Sequence, residues 1–243
     1  MKWEDKGILI AIKKFGETDL LATFITIEHG LSNGLIKGGI SKKQKPYLQI
    51  GNFFKIIWKS RLEEQLGFFS FESEKLLGTS LFNNPLKLSI LSSACTLLYD
   101  SMPENQSNTT LYHQTKTLID NLETIQSNTD ILLQYIVWEK NLLAHLGFAL
   151  TLDKCNATGT TENLFYISPK TGHAICASAG EPYKAKLLPM PKIWNKNTHL
   201  SIDDICFADL KEALQILSFF FEQHIYNEKN KNFPFIRKNL ENL

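Results

Sequence analysis

The lysines near the amino terminus are the residues whose types and spacing best predict a chemical role. Residues 38–45 read Gly-Gly-Ile-Ser-Lys-Lys-Gln-Lys, and Lys37 precedes them at the end of an expected strand. Glycine lets the backbone approach phosphate groups closely, and each lysine that contacts a phosphate releases a condensed counterion. The pattern therefore predicts an electrostatic surface for nucleic acid.

A second set of cations lies where residues 51–60 alternate between two faces of an expected strand. Lys55, Lys59 and Arg61 share one face with Phe53. A basic face with an interleaved aromatic ring is typical of a surface on which unpaired bases stack. For the lysines we favour nucleic-acid contact over a solvated strand face. For Phe53 and Trp58 we favour burial in the core over stacking on a ligand.

Charge is distributed unevenly along the 243 residues, although the formal net charge is only +1. Through Arg61 the chain carries eleven Lys and Arg against five Asp and Glu, which gives +6 there and −5 in the remainder. A basic region followed by an acidic one indicates an anionic partner for the first and a protein partner for the second.

Catalytic and metal-binding patterns are weak by comparison. The sequence contains no Walker loop, GxSxG, HExxH or paired-carboxylate motif, so we expect no enzymatic activity. Cys155 and Thr158 are spaced from His173 and Cys176 as in a zinc ribbon, but a structural zinc site takes four thiolate or imidazole ligands. Threonine supplies neither group. We therefore expect no metal and no other cofactor, and we interpret residues 166–174 as a β-hairpin packed without an ion.

The cysteines and the apolar segments indicate the cellular compartment in which the protein is expected to function. None of the four cysteines belongs to a CxxC pair, the amino terminus is charged, and no uninterrupted apolar run of about 18 residues occurs. These features predict a cytoplasmic protein with reduced thiols and no membrane partner.

Hydrophobic periodicity predicts strands in the first third of the chain. Five short segments have β-rich composition or alternation, at residues 7–13, 21–27, 34–37, 51–60 and 66–72, and the first three end at glycine turns. Five such strands within about 75 residues predict a small barrel of the OB or SH3 kind. Periodicity alone leaves both kinds open.

Helical periodicity begins at Asn84-Pro85, where asparagine is a good cap and proline suits the first helical turn. Further helices are predicted after residue 108, from 129 to 147, from 209 to 226, and from Pro234. Residues 151–205 read as an irregular insertion. The predicted domains are therefore a barrel at 1–79 and a mainly α-helical domain at 80–243, in an α+β fold.

Several strings, taken in order, resemble the RecO family of bacterial DNA repair and recombination mediators. The resemblance covers essentially the whole chain. The strings that carry it include 3–8 (WEDKGI), 15–21 (FGETDLL), 26–31 (TIEHGL), 48–52 (LQIGN), 155–159 (CNATG), 166–172 (YISPKTG) and 179–183 (AGEPY), and their order and spacing together are specific.

The resemblance implies an OB-fold amino-terminal domain and a helical carboxy-terminal domain with a degenerate zinc-ribbon-like insertion. It also implies that the protein binds single- and double-stranded DNA, anneals complementary strands and helps load the RecA recombinase. Expected partners are DNA, RecR and the carboxy-terminal tail of single-strand binding protein, in a cytoplasmic, nucleoid-associated setting. The predicted DNA-binding residues are Lys14, Lys37, Lys42, Lys43, Lys45, Lys55, Lys59 and Arg61.

Three further expectations follow. Some members of this family carry a four-cysteine zinc ribbon, and only Cys155, His173 and Cys176 stand near those positions here. Lys87, Lys140 or Arg237 either rim a peptide groove of the helical domain or are simply solvated. The alternative functions are an OB-fold RNA-binding or translation-associated module and, less favoured, a metal-dependent nucleic-acid enzyme.

Overall fold

A computed structural model describes residues 1–62, 65–195 and 205–242. The chain forms two compact units, Met1–Ile125 and Gln126–Leu243. The boundary predicted between residues 79 and 80 lies just after the last strand of the first unit, within its first short helix. It stays a prediction of domain organisation.

Five strands build a closed barrel in the first unit. They are β1 (Lys2–Phe15), β2 (Asp19–Thr26), β3 (Gly30–Ile36), β4 (Phe53–Lys59) and β5 (Gly67–Lys75). Their order around the barrel is β1-β2-β3-β5-β4, and the β3–β5 pair is the parallel one. This arrangement confirms the predicted five-stranded barrel and selects the OB type over the SH3 type.

The long first strand closes the barrel because it pairs with two neighbours. Residues Lys2–Ile8 pair with β4, whereas Gly7–Phe15 pair with β2. The register shifts between Leu9 and Ala11, and such an irregularity bends a strand so that one segment can serve two sheets. The predicted strand, 7–13, contains only the apolar centre of this element.

Phenylalanine rings fill the barrel. Phe24, Phe54 and Phe69 pack against one another edge to face, with centroids 4.9 and 5.7 Å apart for the two contacts made by Phe24. The parallel closure depends on Gly34 and Gly67, because a Cβ at Gly67 would lie 2.2 Å from the Trp58 ring. Glycine thus permits the close approach that joins β3 to β5.

Helices α1 (Thr79–Phe82), α2 (Pro85–Ser101) and α3 (Thr109–Thr124) complete the first unit. The Asn84 side chain accepts a hydrogen bond from the Lys87 amide, and Asn108 caps α3 through the Leu111 amide. Both helices begin where asparagine can satisfy a free N–H group, as predicted for Asn84-Pro85.

The second unit contains α4 (Asn128–His145), a small sheet, α5 (Ala177–Gly180), α6 (Phe207–Phe221) and α7 (Phe235–Lys238). Strands β6 (Leu164–Ile167), β7 (Ala174–Cys176) and β8 (Leu188–Pro189) form the sheet in the order β7-β6-β8. The antiparallel β6–β7 pair is the predicted hairpin. Helix α6 continues as a π-helical turn at Glu222–Tyr226, which accounts for the predicted helix end at 226.

Candidate nucleic-acid interface

The strand register decides which side chains face out of the barrel. Along β4, Phe54 and Ile56 belong to the barrel core, whereas Lys55 and Lys59 are exposed. Lys59 stands opposite Phe68 of β5, and directly opposed residues project on the same side of a sheet. The outward face of β4 and β5 therefore combines a cation with an aromatic ring.

These two residues belong to a basic groove, which we define by Lys37, Lys43, Lys59, Tyr47 and Phe68. Its volume is about 670 Å³. All three lysines are exposed. The Lys37 Nζ atom lies 4.6 Å from the centre of the Phe68 ring, and Phe68 and Tyr47 expose 41% and 43% of their surface. The groove can thus offer positive charge and aromatic rings to one ligand.

The loop between β3 and β4 is held at both ends by side chains. The Asp19 carboxylate accepts a 2.9 Å hydrogen bond from the Gly38 amide, and this bond, with a second from Thr18, holds the pKa of Asp19 below its ordinary value. Gly38 has φ +63°, a conformation that glycine adopts without strain. The start of the lysine loop is therefore tied to the β1–β2 turn.

At its other end the loop depends on Asn52, whose side chain is buried. Its Nδ2 group donates to the Tyr47 carbonyl at 2.8 Å, and its Oδ1 atom accepts the Leu77 amide at 2.9 Å. Because both halves of the amide are used, Asn52 holds Tyr47 at the groove. The exposed ring is thus carried on a backbone segment with a defined position.

The other predicted cations lie outside the basic groove. Lys42 and Lys45 are exposed on the same loop, Lys14 is exposed near the end of β1, and Arg61 is exposed just after β4. The structure therefore brings together three of the eight predicted residues. The role of all eight as DNA contacts stays a prediction.

Lys55 belongs to a different surface, which we call the acidic groove. The groove, of about 590 Å³, is lined by four carboxylates and two lysines: Glu4, Asp5, Glu28, Glu72, Lys6 and Lys55. Glu72 stands directly opposite Lys55 across the β4–β5 ladder. Lys55 and Lys59 have the same orientation on the same strand, yet Lys55 lines the acidic groove and Lys59 lines the basic groove.

The exposure of the aromatic rings agrees with the prediction from the sequence for two residues and differs from it for two others. Phe53 is 4% exposed, which confirms its predicted burial, and the Nζ atoms of Lys75 and Lys116 lie 5.6 and 5.7 Å from its ring centre. Trp58 packs against the barrel core, as predicted. Sequence reasoning missed Tyr47 and Phe68 as the exposed rings. The available signals were the lysines that precede Tyr47 and the alternation that begins at Gly67.

The zinc-ribbon-like positions come together only in part. The Cys155 Sγ atom accepts the Cys176 amide at 3.2 Å, and Thr158 Oγ1 lies 3.5 Å from Cys176 Sγ. The His173 Nδ1 atom is buried without a hydrogen-bond partner. Within the described ranges no cluster of three or more His, Cys, Asp or Glu side chains could hold a metal ion. This donor set does not fit a closed structural zinc site.

Two of the cations expected at a groove rim or in solvent are buried, so for them that expectation was wrong. Lys87 is 5% exposed, and its Nζ group donates to the Ile125 carbonyl at the end of α3. Arg237 is completely buried against Glu139 in the second unit, with Nη2 2.8 Å from Oε2. Burial acts to lower the pKa of Arg237, but Glu139, Tyr135 and Glu241 together outweigh it and raise the pKa. Both side chains are therefore bound within the fold instead of lying at a groove rim.

The barrel and the basic groove together indicate the structural class to which the protein belongs. A closed OB-type barrel with an exposed basic groove and aromatic side chains is typical of nucleic-acid-binding modules. In the part of the chain that the structure describes, no helix is both long and apolar enough to span a membrane.

Comparisons with known proteins identify the family. The family model described as Recombination protein O N terminal matches residues 1–74, and the one described as Recombination protein O C terminal matches residues 83–232. The DNA repair protein RecO of Ehrlichia chaffeensis is 36% identical over 95% of this chain and 93% of its own length. Those of Rhodospirillum centenum and Bartonella quintana are 35% and 33% identical over 98% and 100% of this chain, and 92% and 97% of their own lengths.

The chain belongs to the RecO family. The resemblance predicted from the ordered strings is confirmed. Family membership supports a role in DNA repair and homologous recombination.

Proposed function

We propose that the protein binds single- and double-stranded DNA through the basic groove of its barrel and anneals complementary strands. We further propose that it helps load a recombinase of the RecA type onto strands coated by single-strand binding protein. The observation that carries the proposal is the arrangement of Lys37, Lys43 and Lys59 around the exposed Phe68 ring.

The basic groove provides both interactions that bind a single strand, namely charge neutralisation of the phosphates and stacking of the bases. The three ammonium groups neutralise phosphates along a strand, which releases counterions and makes the affinity depend strongly on salt. Phe68 and Tyr47 offer ring faces on which bases stack without regard to their identity. Such a groove would therefore bind strands of any sequence, as a repair protein must.

Annealing needs no catalytic group in this account. Two complementary strands repel each other through their phosphates, and a lysine-rich surface lowers that repulsion while base pairing supplies the free energy. We accordingly propose a non-enzymatic protein that acts without a metal or another cofactor.

The more acidic remainder of the chain would contact proteins rather than DNA. Its formal charge of −5 opposes a polyanion. By resemblance to the family, we propose RecR and the tail of single-strand binding protein as partners. Of the three cations first considered for a peptide groove, the half-buried Lys140 is the one that keeps partial solvent contact.

The test is a strand-annealing assay with the full-length chain. Wild-type protein should accelerate annealing of complementary oligonucleotides, and DNA should compete for the groove at least as well as RNA of the same sequence. The groove variant Lys37→Ala, Lys43→Ala, Lys59→Ala should lose most of the acceleration. A control that removes three exposed lysines of the second unit, Lys154→Ala, Lys170→Ala, Lys186→Ala, should retain it.

Two results would contradict the proposal. Annealing that wild-type protein leaves at the spontaneous rate would remove the annealing activity. Strong preference for RNA over DNA would favour the alternative, an RNA-binding or translation-associated module.

A further inference from the structure

Two cysteines of the second unit lie next to each other, Cys155 in the turn before β6 and Cys176 at the end of β7. The Cys176 amide donates to Cys155 Sγ at 3.2 Å, and the Cys155 thiol also interacts with the sulfur of Cys176. Both side chains are buried, and both cysteines are free thiols. Neighbouring thiols permit a reaction that an isolated thiol cannot complete within one chain.

Polar groups surround one of the two sulfurs. Ser178 Oγ and Thr158 Oγ1 lie 3.4 and 3.5 Å from Cys176 Sγ. Hydrogen bonds from Ser178, then Thr158 and the Ala179 amide, lower the pKa of Cys176 to about 6. Burial opposes this shift but is outweighed by the hydrogen bonds. Since the thiolate is the reactive form of cysteine, Cys176 is the more reactive member of the pair.

The other two cysteines provide contrasts within the same molecule. Burial in the first unit raises the pKa of Cys95 to about 12, so its thiol stays protonated. Cys206 is exposed, but its Sγ–H group donates to the Asp209 carboxylate at 3.0 Å. Within the described part of the chain, Cys155 and Cys176 are the cysteines that lie against each other.

An exposed turn of chain lies against the pair, with Thr158 in contact with Cys176. Residues 156–159 are exposed, and the Gly159 amide donates to the Cys155 carbonyl at 2.8 Å to close the turn. Gly159 has φ +75°, and nothing lies within 4 Å of a Cβ placed there. Because exposed turns open locally more readily than core elements, we expect a small solute to reach the sulfurs when this turn opens.

We infer that Cys155 and Cys176 form an oxidation site that closes into an intrachain disulfide when the protein meets hydrogen peroxide. The Cys176 thiolate attacks one peroxide oxygen, the O–O bond breaks, and hydroxide leaves and takes up a proton. The Cys176 sulfenic acid is then attacked by the Cys155 sulfur, the S–O bond breaks, and water leaves. Two thiols lose two electrons in total, and one peroxide is reduced to two waters.

The disulfide would fasten the turn before β6 to the end of β7. In zinc-containing members of the family an ion would join these positions. Here the donor set does not fit that ion, and a covalent bond between the two sulfurs can replace it under oxidising conditions.

Peptide mapping of the intact chain tests this inference. The full-length protein is treated with stoichiometric peroxide, its remaining thiols are alkylated, and it is digested with trypsin without reduction. Residues 155–170 and 171–184 fall in separate peptides, each with one cysteine. We expect these two peptides to appear joined, with the mass of the pair reduced by two hydrogens, and to separate after dithiothreitol.

Two variants control the result. In Cys206→Ser the joined pair should form as in wild type. In Cys155→Ser it should vanish, and Cys176 should accumulate as sulfenic acid that dimedone traps. Oxidation of Cys206 or Cys95 ahead of the pair would overturn the inference, and so would stoichiometric zinc bound by the purified protein that blocks the reaction.

Discussion

The two compact units differ in the solvent exposure and charge pairing of their cations. In the first unit Lys37, Lys43 and Lys59 are exposed around a groove, and in the described part of the chain no carboxylate lines that groove, although Asp19 and Glu4 interact electrostatically with Lys37 and Lys59 from outside it. In the second unit Arg237 is fully buried and is neutralised by Glu139. Exposed cations contribute little to stability and are free to bind an anion, whereas a buried pair is committed to the fold.

This difference separates two kinds of experiment. Removing groove lysines should change DNA affinity and leave unfolding unchanged. Removing the buried arginine should change unfolding and leave the DNA affinity of the folded protein unchanged. A variant that altered both DNA affinity and stability would contradict this separation of binding cations from structural cations.

The largest effect is expected for Arg237→Ala. The substitution leaves the Glu139 carboxylate buried without a partner and also frees the Leu214 carbonyl, which accepts from Nη2 at 2.9 Å. The free energy of unfolding should fall by about 3–5 kcal/mol. Urea denaturation followed by circular dichroism measures it.

Two controls sharpen the result. Lys238→Ala removes an exposed cation next to Arg237 and should change stability by less than about 0.5 kcal/mol. The double variant Arg237→Met, Glu139→Leu should recover most of the loss, because it removes both charges. A stable Arg237→Ala protein would contradict the assigned structural role.

The next effect concerns the groove lysines as a set. Each phosphate contact with a single strand contributes about 0.7 to the slope of log affinity against log salt, so Lys37→Ala, Lys43→Ala, Lys59→Ala should flatten the slope by about 2. Fluorescence anisotropy with an oligothymidine over a salt series measures this slope.

The acidic groove supplies the matched comparison. Lys55→Ala should change the slope by clearly less than Lys59→Ala, since Glu72 opposes Lys55 and Phe68 opposes Lys59. Equal slopes for these two single variants would show that local carboxylates do not divide the sheet into two surfaces.

A smaller effect is expected from the exposed ring. Phe68→Ala should weaken single-strand binding by about 1–3 kcal/mol through lost stacking, with the salt slope unchanged. Phe165→Ala removes a ring that is 52% exposed in the second unit and should leave affinity unchanged. Loss of affinity accompanied by a flatter slope would mean that Phe68 acts by placing Lys37.

The sequence predicted the elements whose signals are local. Asn84-Pro85 begins α2 because capping and a proline at the first turn depend only on neighbouring residues. The strands of the barrel were recognised from alternation and glycine turns. The polar start of β1 was missed because residues 2–6 are strand only through pairing with β4, which lies some fifty residues away.

The site was predictable in its charge but not in its geometry. Lys55 and Lys59 are equivalent by periodicity, and only the partner strand distinguishes them. Phe68 and Phe69 are equally apolar in sequence, yet the β5 register buries Phe69 and exposes Phe68. The burial of Arg237 depends on Glu139, 98 residues earlier, so no local pattern could reveal it.

Cross-linking locates bound DNA on the protein and shows whether single-stranded DNA lies in the basic groove. Full-length protein is irradiated with an oligonucleotide that contains 5-iododeoxyuridine, which couples to aromatic side chains stacked on it, and the linked peptides are sequenced. We expect links at Phe68 or Tyr47 that disappear in the variant lacking Lys37, Lys43 and Lys59. Links confined to residues 126–243, or links that persist in that variant, would contradict the proposal.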